Sequence, residues 1–128
     1  MRRKWKWDKD LTRKLRRLRY HRWLRLDEQL FGWLRDFPEH TIGEWPGWDD
    51  NGGTYRKREA IPGVPAPFAC QRGTCTSCPY SYKPDDYGEC LMDDYDYARG
   101  PGERKRVYAE ALKRLQYIRR YGKGASND

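Results

Sequence analysis

Residues 9–37 read KDLTRKLRRLRYHRWLRLDEQLFGWLRDF, and this stretch decides the fold class. Leu11, Leu15, Leu18, Leu26, Leu30, Trp33 and Phe37 recur three or four residues apart, with one gap of eight that Arg22 fills. That period predicts a single long helix with an apolar stripe. Asp8 or Asp10 can cap its start, where a carboxylate also suits the positive end of the helix dipole. Pro38 disfavours helical backbone at Phe37 and ends the helix there. Lys9, Arg13, Lys14, Arg16, Arg17, Arg19 and Arg25 fall mostly off the stripe, so the helix carries a dense basic face.

The stripe needs a partner, and the other end of the chain supplies one. Residues 103–121 repeat the helical period with Val107 or Tyr108, Ala111, Leu112, Leu115, Ile118 and Tyr121. Glu103 lies in the first turn, Arg119 and Arg120 in the last, and Gly122 just beyond, the usual signals of a start and a stop. The two stripes are expected to pack on each other. The expectation is one small α-rich domain over residues 1–128, two amphipathic helices at about 9–37 and 103–121, with flexible ends at 1–8 and 122–128.

Between the helices, residues 38–102 hold all 8 Pro and 9 of the 12 Gly, a composition that supports turns and short strands at most. Leu, Ile, Val and Phe together make only 18 of the 128 residues, so the aliphatic core must be small, and 6 Trp and 10 Tyr carry much of the remaining apolar surface. A centre so poor in aliphatics needs a covalent or metal staple. All four cysteines lie in it: Cys70, Cys75, Cys78 and Cys90, spaced C-x4-C-x2-C-x11-C. Four thiolates within 21 residues around a CxxC pair have metal-ligand spacing. A hairpin through Lys83–Gly88 would return Cys90 to the other three. The set suits zinc, or alternatively a [2Fe–2S] cluster. Two disulfides, or four unrelated thiols, are the readings without a metal.

The segment CQRGTCTSC (70–78) resembles the cluster loop of plant-type ferredoxins, which run C-x4-C-x2-C with Gly three residues after the first cysteine, as Gly73 is here. The short gap to Cys90, followed by Leu91, is similar to the small iron–sulfur subunits of molybdenum hydroxylases. The likeness covers residues 70–91. Those families place a strand hairpin and a helix before the loop in a β-grasp fold. This chain has a basic helix and the stretch GEWPGWDDNGG instead, and Pro79 stands where an apolar strand would begin. What carries over from the resemblance is a ligand role for the four cysteines and nothing about electron transfer.

The charge is segregated. Lys plus Arg is 27 and Asp plus Glu 19, a net of +8. Residues 1–25 hold 12 basic and 2 acidic side chains, while residues 26–54 hold 1 basic and 7 acidic. Either the basic end meets a polyanion, or it folds back on the chain's own acids. Arg outnumbers Lys 18 to 9, and Trp5, Trp7, Tyr20 and Trp23 are interleaved, which fits phosphate contacts and base stacking. Arg13, Arg16, Arg17, Arg19 and Arg25 are the candidate contacts to DNA or RNA.

No Walker loop, His-based metal motif or Ser/His/Asp set is present; His21 and His40 read as structural, and Asp93, Asp94 and Asp96 as a solvated loop. The expectation is therefore a non-catalytic module with no small-molecule substrate. No apolar run is long enough for a transmembrane helix and no export signal is visible, so the expected location is cytoplasmic. The competing functions are nucleic-acid binding or regulation, an accessory or virion-associated protein that docks on a larger protein, and an iron–sulfur carrier or sensor. The Arg, Trp, Tyr and Gly bias is that of a small phage-like protein.

Overall fold

The computed structural model describes residues 7–51, 67–69, 78–81 and 90–124. Four α-helices occur among them: α1 (Lys9–Arg17), α2 (Arg22–Asp36), α3 (Leu91–Asp96) and α4 (Pro101–Tyr121). Two single 3-10 turns, Ile42–Glu44 and Pro46–Trp48, follow α2. The α-rich class expected from the sequence is what the structure shows.

The expected single helix over 9–37 is two helices. Leu18 leaves helical backbone (φ −82°, ψ 146°), and His21 is extended (φ −144°, ψ −176°) and caps α2 with its ring nitrogen accepting from Trp23 N at 3.3 Å. The break falls in the gap of eight, where the stripe has no apolar residue to bury. A helix continued through it would set Arg16, Arg19, Arg22 and Arg25 three residues apart, and like charges at that spacing oppose helix. Breaking the chain lets both halves reach α4. Lys123 N donates to Leu18 O at 2.9 Å, closing the gap left in the first helix. At the start, Asp8 caps α1, its carboxylate accepting from Leu11 N at 2.9 Å.

All three other helices pack on α4. α1 runs parallel to it, with Trp7 beside Glu110 and Leu18 beside Lys123. α2 runs antiparallel, with Glu28 against Arg119 and His40 O accepting from the Tyr108 hydroxyl. One core holds Leu11 and Leu15 of α1, Leu24, Leu26, Leu30, Phe31 and Leu34 of α2, and Val107, Tyr108, Ala111, Leu112, Leu115 and Ile118 of α4. The two stripes thus meet, with four departures, one of them Tyr121 at the end of α4, which is 48% exposed. Leu18 and Trp33 are only half buried, and Phe37 is 46% exposed. Once α2 starts its own phase at Arg22, its inward face runs through Leu24, Asp27, Phe31 and Leu34.

α4 begins at Pro101, two residues before the expected start, because Pro is preorganised for the first helical position. It ends at Gly122, whose N–H bonds Ile118 O at 2.8 Å. A Cβ on Gly122 would lie 2.5 Å from both Ile118 O and Leu18 O, so only glycine lets the end of α1 approach the end of α4. Helix α3 stands where the sequence reading placed an acidic loop. Leu91 and Met92 open it and are buried, which accounts for order in a segment otherwise rich in Asp.

Candidate functional site

Cys70 and Cys75 lie outside the described residues, as does the expected hairpin tip at 83–88. Its base is present: Ser81 and Cys90 form an antiparallel bridge, and Leu91 N donates to Tyr80 O at 2.9 Å. Cys78 and Cys90 thus share one corner of the molecule, and they are not joined to each other by a disulfide. Each sulfur accepts backbone N–H bonds. Tyr80 N donates to Cys78 Sγ at 3.4 Å, and the N–H groups of Asp93 and Met92 are directed at Cys90 Sγ. Pro79, with no N–H, sits between Cys78 and its donor. Burial pushes the Cys90 thiol up to about 11, with the neighbouring charges of Asp93 and Cys78 adding to the rise and the N–H bonds opposing it. A bound metal ion would invert that balance by binding the thiolate directly.

The segments that bracket the cysteines are held by buried charges from three helices. Asp27 of α2 is fully buried, and its carboxylate accepts from Phe68 N at 2.6 Å, Ala69 N at 2.9 Å and the Tyr80 hydroxyl at 2.6 Å. Phe68 and Ala69 directly precede Cys70, and Tyr80 is two residues after Cys78. Burial raises the Asp27 carboxyl to about 7, against the three donors that favour its charge. Arg114 of α4, also fully buried, donates to Pro79 O and Ser81 O at 3.1 Å each, and to Glu110 at 2.9 Å. Glu110 in turn accepts from Trp7 Nε1 at 2.8 Å. Lys14 of α1 donates to Ser81 Oγ.

Lys14 is a correction: the sequence placed it with the basic face, and it is 1% exposed. Asp27 and Arg114 carried no signal in the sequence beyond lying on inward positions of their helices. A buried charge is retained only with polar partners, and these partners come from the cysteine-bearing segments.

The five predicted nucleic-acid contacts, Arg13, Arg16, Arg17, Arg19 and Arg25, are all exposed. Arg13 meets Asp10 of its own helix at 3.7 Å. Among the described residues, none of the other four lies within ion-pair distance of a carboxylate, so the fold-back onto the acids of 26–54 is not formed there by these side chains. Glu28 is occupied otherwise, with Arg119 at 3.3 Å and the Tyr20 hydroxyl at 2.7 Å. α1 and α4 are parallel, so their carbonyl ends converge; Arg16, Arg17 and Arg120 lie in the last turns of these helices, and Arg19 and Lys123 just beyond them. Cations there also complement the two helix dipoles.

The N-terminal aromatics proposed for stacking are used internally. Trp7 is edge-on to Tyr117 at 5.3 Å, Trp23 stacks on Phe68 at 5.6 Å, and the Tyr20 hydroxyl is tied to Glu28 and pushed up chiefly by burial. Trp5 lies outside the described residues. Both histidines bond locally: His21 caps α2 and its ring burial lowers its pKa, and His40 bonds Glu44 at 3.2 Å. Asp93 accepts from Cys90 N at 3.2 Å. Among the described residues no helix is long and apolar enough to cross a membrane. No known protein family, curated protein or solved structure matches the chain.

Proposed function

We propose that the chain is a small, non-catalytic nucleic-acid-binding or regulatory module whose centre is stapled by a metal held on Cys70, Cys75, Cys78 and Cys90. The observation that carries the nucleic-acid reading is the arginine cluster at the joint end of α1 and α4. Four guanidiniums stay in water without a carboxylate partner among the described residues, which is a surface suited to phosphates. Support for the staple comes from Cys78 and Cys90, brought to one corner with backbone N–H groups on both sulfurs. Such donors stabilise thiolate ligands. Zinc suits four thiolates as a closed structural site; a [2Fe–2S] cluster fits the same ligand set.

The test measures retention of DNA and RNA across a salt series together with the melting temperature. Each phosphate neutralised on duplex DNA contributes about −0.9 to the slope of log K against log salt. Four contacts from this cluster give a slope near −4. Charge reversal at Arg16 and Arg17 is expected to flatten the slope by roughly 2 with an unchanged melting temperature, because both side chains are exposed. No retention by the parent at ~150 mM salt, the regime in which phosphate contacts still hold non-specific complexes, refutes the reading and moves the function to a protein partner. Elemental analysis and an absorption spectrum of anaerobically purified protein separate zinc, which is colourless, from a cluster, which is not.

A further inference from the structure

Three aromatic side chains are conspicuously exposed among the described residues: Tyr97 at 83%, Tyr121 at 48% and Phe37 at 46%. Phe37 lies between Asp36 and Pro38, whose carbonyl accepts from Arg104, and Tyr97 follows Asp96 at the end of α3. Tyr121 differs. It is the last residue of α4, between Arg120 and the Gly122–Lys123 turn that bonds the end of α1. Arg19 comes within 4 Å of where a Cβ on Gly124 would stand, so the arginine between α1 and α2 borders the same end.

The ring is also held. Tyr121 leans on Tyr117 with centroids 4.8 Å apart, and Tyr117 is edge-on to Trp7. Trp7 is fixed by its hydrogen bond to Glu110 and covered by Lys113, whose Nζ is 4.8 Å from the ring centroid. The three rings form a ladder along α4 whose outermost member is half in water. An aromatic face on a rigid support, bordered by cations, gives one base a stacking surface at small ordering cost.

We infer that this end of the molecule takes single-stranded rather than duplex nucleic acid, with an unstacked base lying on Tyr121 and the flanking phosphates on Arg16, Arg17, Arg19, Arg120 and Lys123. The inference rests on the nucleic-acid reading above and goes further by naming the strand state and the residue that selects it. A duplex keeps its bases stacked on one another and offers only edges and phosphates, so it meets the arginines and leaves Tyr121 unused.

The experiment titrates the full chain with a labelled 12-nucleotide oligodeoxythymidine and with the same strand annealed to its complement, in ~100 mM salt. The single strand is expected to bind at least tenfold more tightly. Tyr121→Ala is expected to weaken single-strand binding by roughly 5- to 100-fold, the worth of one base on one ring, and to leave duplex binding unchanged. Tyr121→Phe keeps the ring and is expected to restore binding; since the side chain is half exposed, both variants are checked for an unaltered melting temperature. If the duplex binds as well as the single strand and Tyr121→Ala changes nothing, while the Arg16/Arg17 reversal still abolishes binding, the inference falls and the basic-end reading survives. If neither nucleic acid binds the parent, both fall, and the aromatic end belongs to a protein partner.

Discussion

Replacing Asp27 with Asn changes one charge at the point where α2 grips the cysteine-bearing centre. In the folded chain its carboxyl is raised to about 7 by burial, from 3.8 for an open carboxyl. The folded state therefore holds the proton more tightly than the unfolded one. Below about pH 4 both states are protonated and the group contributes nothing adverse. Between about 4 and 7 the unfolded chain ionises first, and stability falls by about 1.4 kcal/mol per pH unit. The full loss is about 4 kcal/mol, a large part of the 5–15 kcal/mol typical of a domain. Asn does not titrate. It keeps one oxygen for Ala69 N and the Tyr80 hydroxyl but turns an N–H₂ toward Phe68 N, a mismatch worth about 1–3 kcal/mol. At pH 4 the variant is thus expected to be the less stable, and by pH 8 the parent should have lost about 4 kcal/mol relative to it. Urea unfolding of both proteins at several pH values, followed by circular dichroism and tryptophan fluorescence, gives that difference with other titrating groups cancelled. A gap that stays constant, or widens in favour of the parent as pH rises, refutes the reasoning: the three donors would then outweigh burial and Asp27 would be ionised throughout.

Leu30→Ala and Leu115→Ala each remove a fully buried side chain from the α2–α4 contact and are expected to cost roughly 2–5 kcal/mol in urea unfolding; a cost below about 0.5 kcal/mol at both would mean the two stripes are not covered by each other. Arg114→Met strips the donor from Pro79 O, Ser81 O and Glu110 in the interior and is expected to lower stability by about 3–5 kcal/mol, whereas Arg120→Met on the exposed face of the same helix should change it by less than about 0.5 kcal/mol. If the four cysteines hold one metal ion, excess chelator should lower the melting temperature sharply and Cys90→Ser should reduce the metal content, since structural zinc contributes on the order of 10 kcal/mol to small domains; an unchanged melting curve in chelator would remove the staple from the account.

Features that neighbours along the chain decide can be read before any fold is known. Helical period, a capping Asp8, Pro38 after Phe37 and Gly122 after Tyr121 act within one or two turns, so the α-rich class and most helix ends were legible. So was the exposure of Arg13, Arg16, Arg17, Arg19 and Arg25, because side chains off an apolar stripe face water. The return of Cys90 beside Ser81 was legible in outline, since a turn-forming run separates them. The gap of eight between Leu18 and Leu26 also contained the break, but an isolated segment offers no reason to break. The reason is α4, which both halves reach only when Leu18–His21 leaves helical backbone and Gly122 lets the helix ends meet.

The tertiary structure alone decided which charges are inside. Lys14 looks like any other basic residue of α1 until Ser81, 67 positions away, meets it in the core. Asp27 is one of seven acids in its stretch until Phe68, Ala69 and Tyr80 turn their donors toward it. Arg114 lies on the inward face of α4 because the backbone of Pro79 and Ser81 is there to accept from it. Burying a charge is governed by partners distant in sequence, and a residue's own neighbours carry no record of them. The same holds for the aromatics: Trp7, Tyr20 and Trp23 look available beside their arginines, and packing consumes them, while Tyr121, assigned by its period to the apolar side of α4, is the ring left at the basic end.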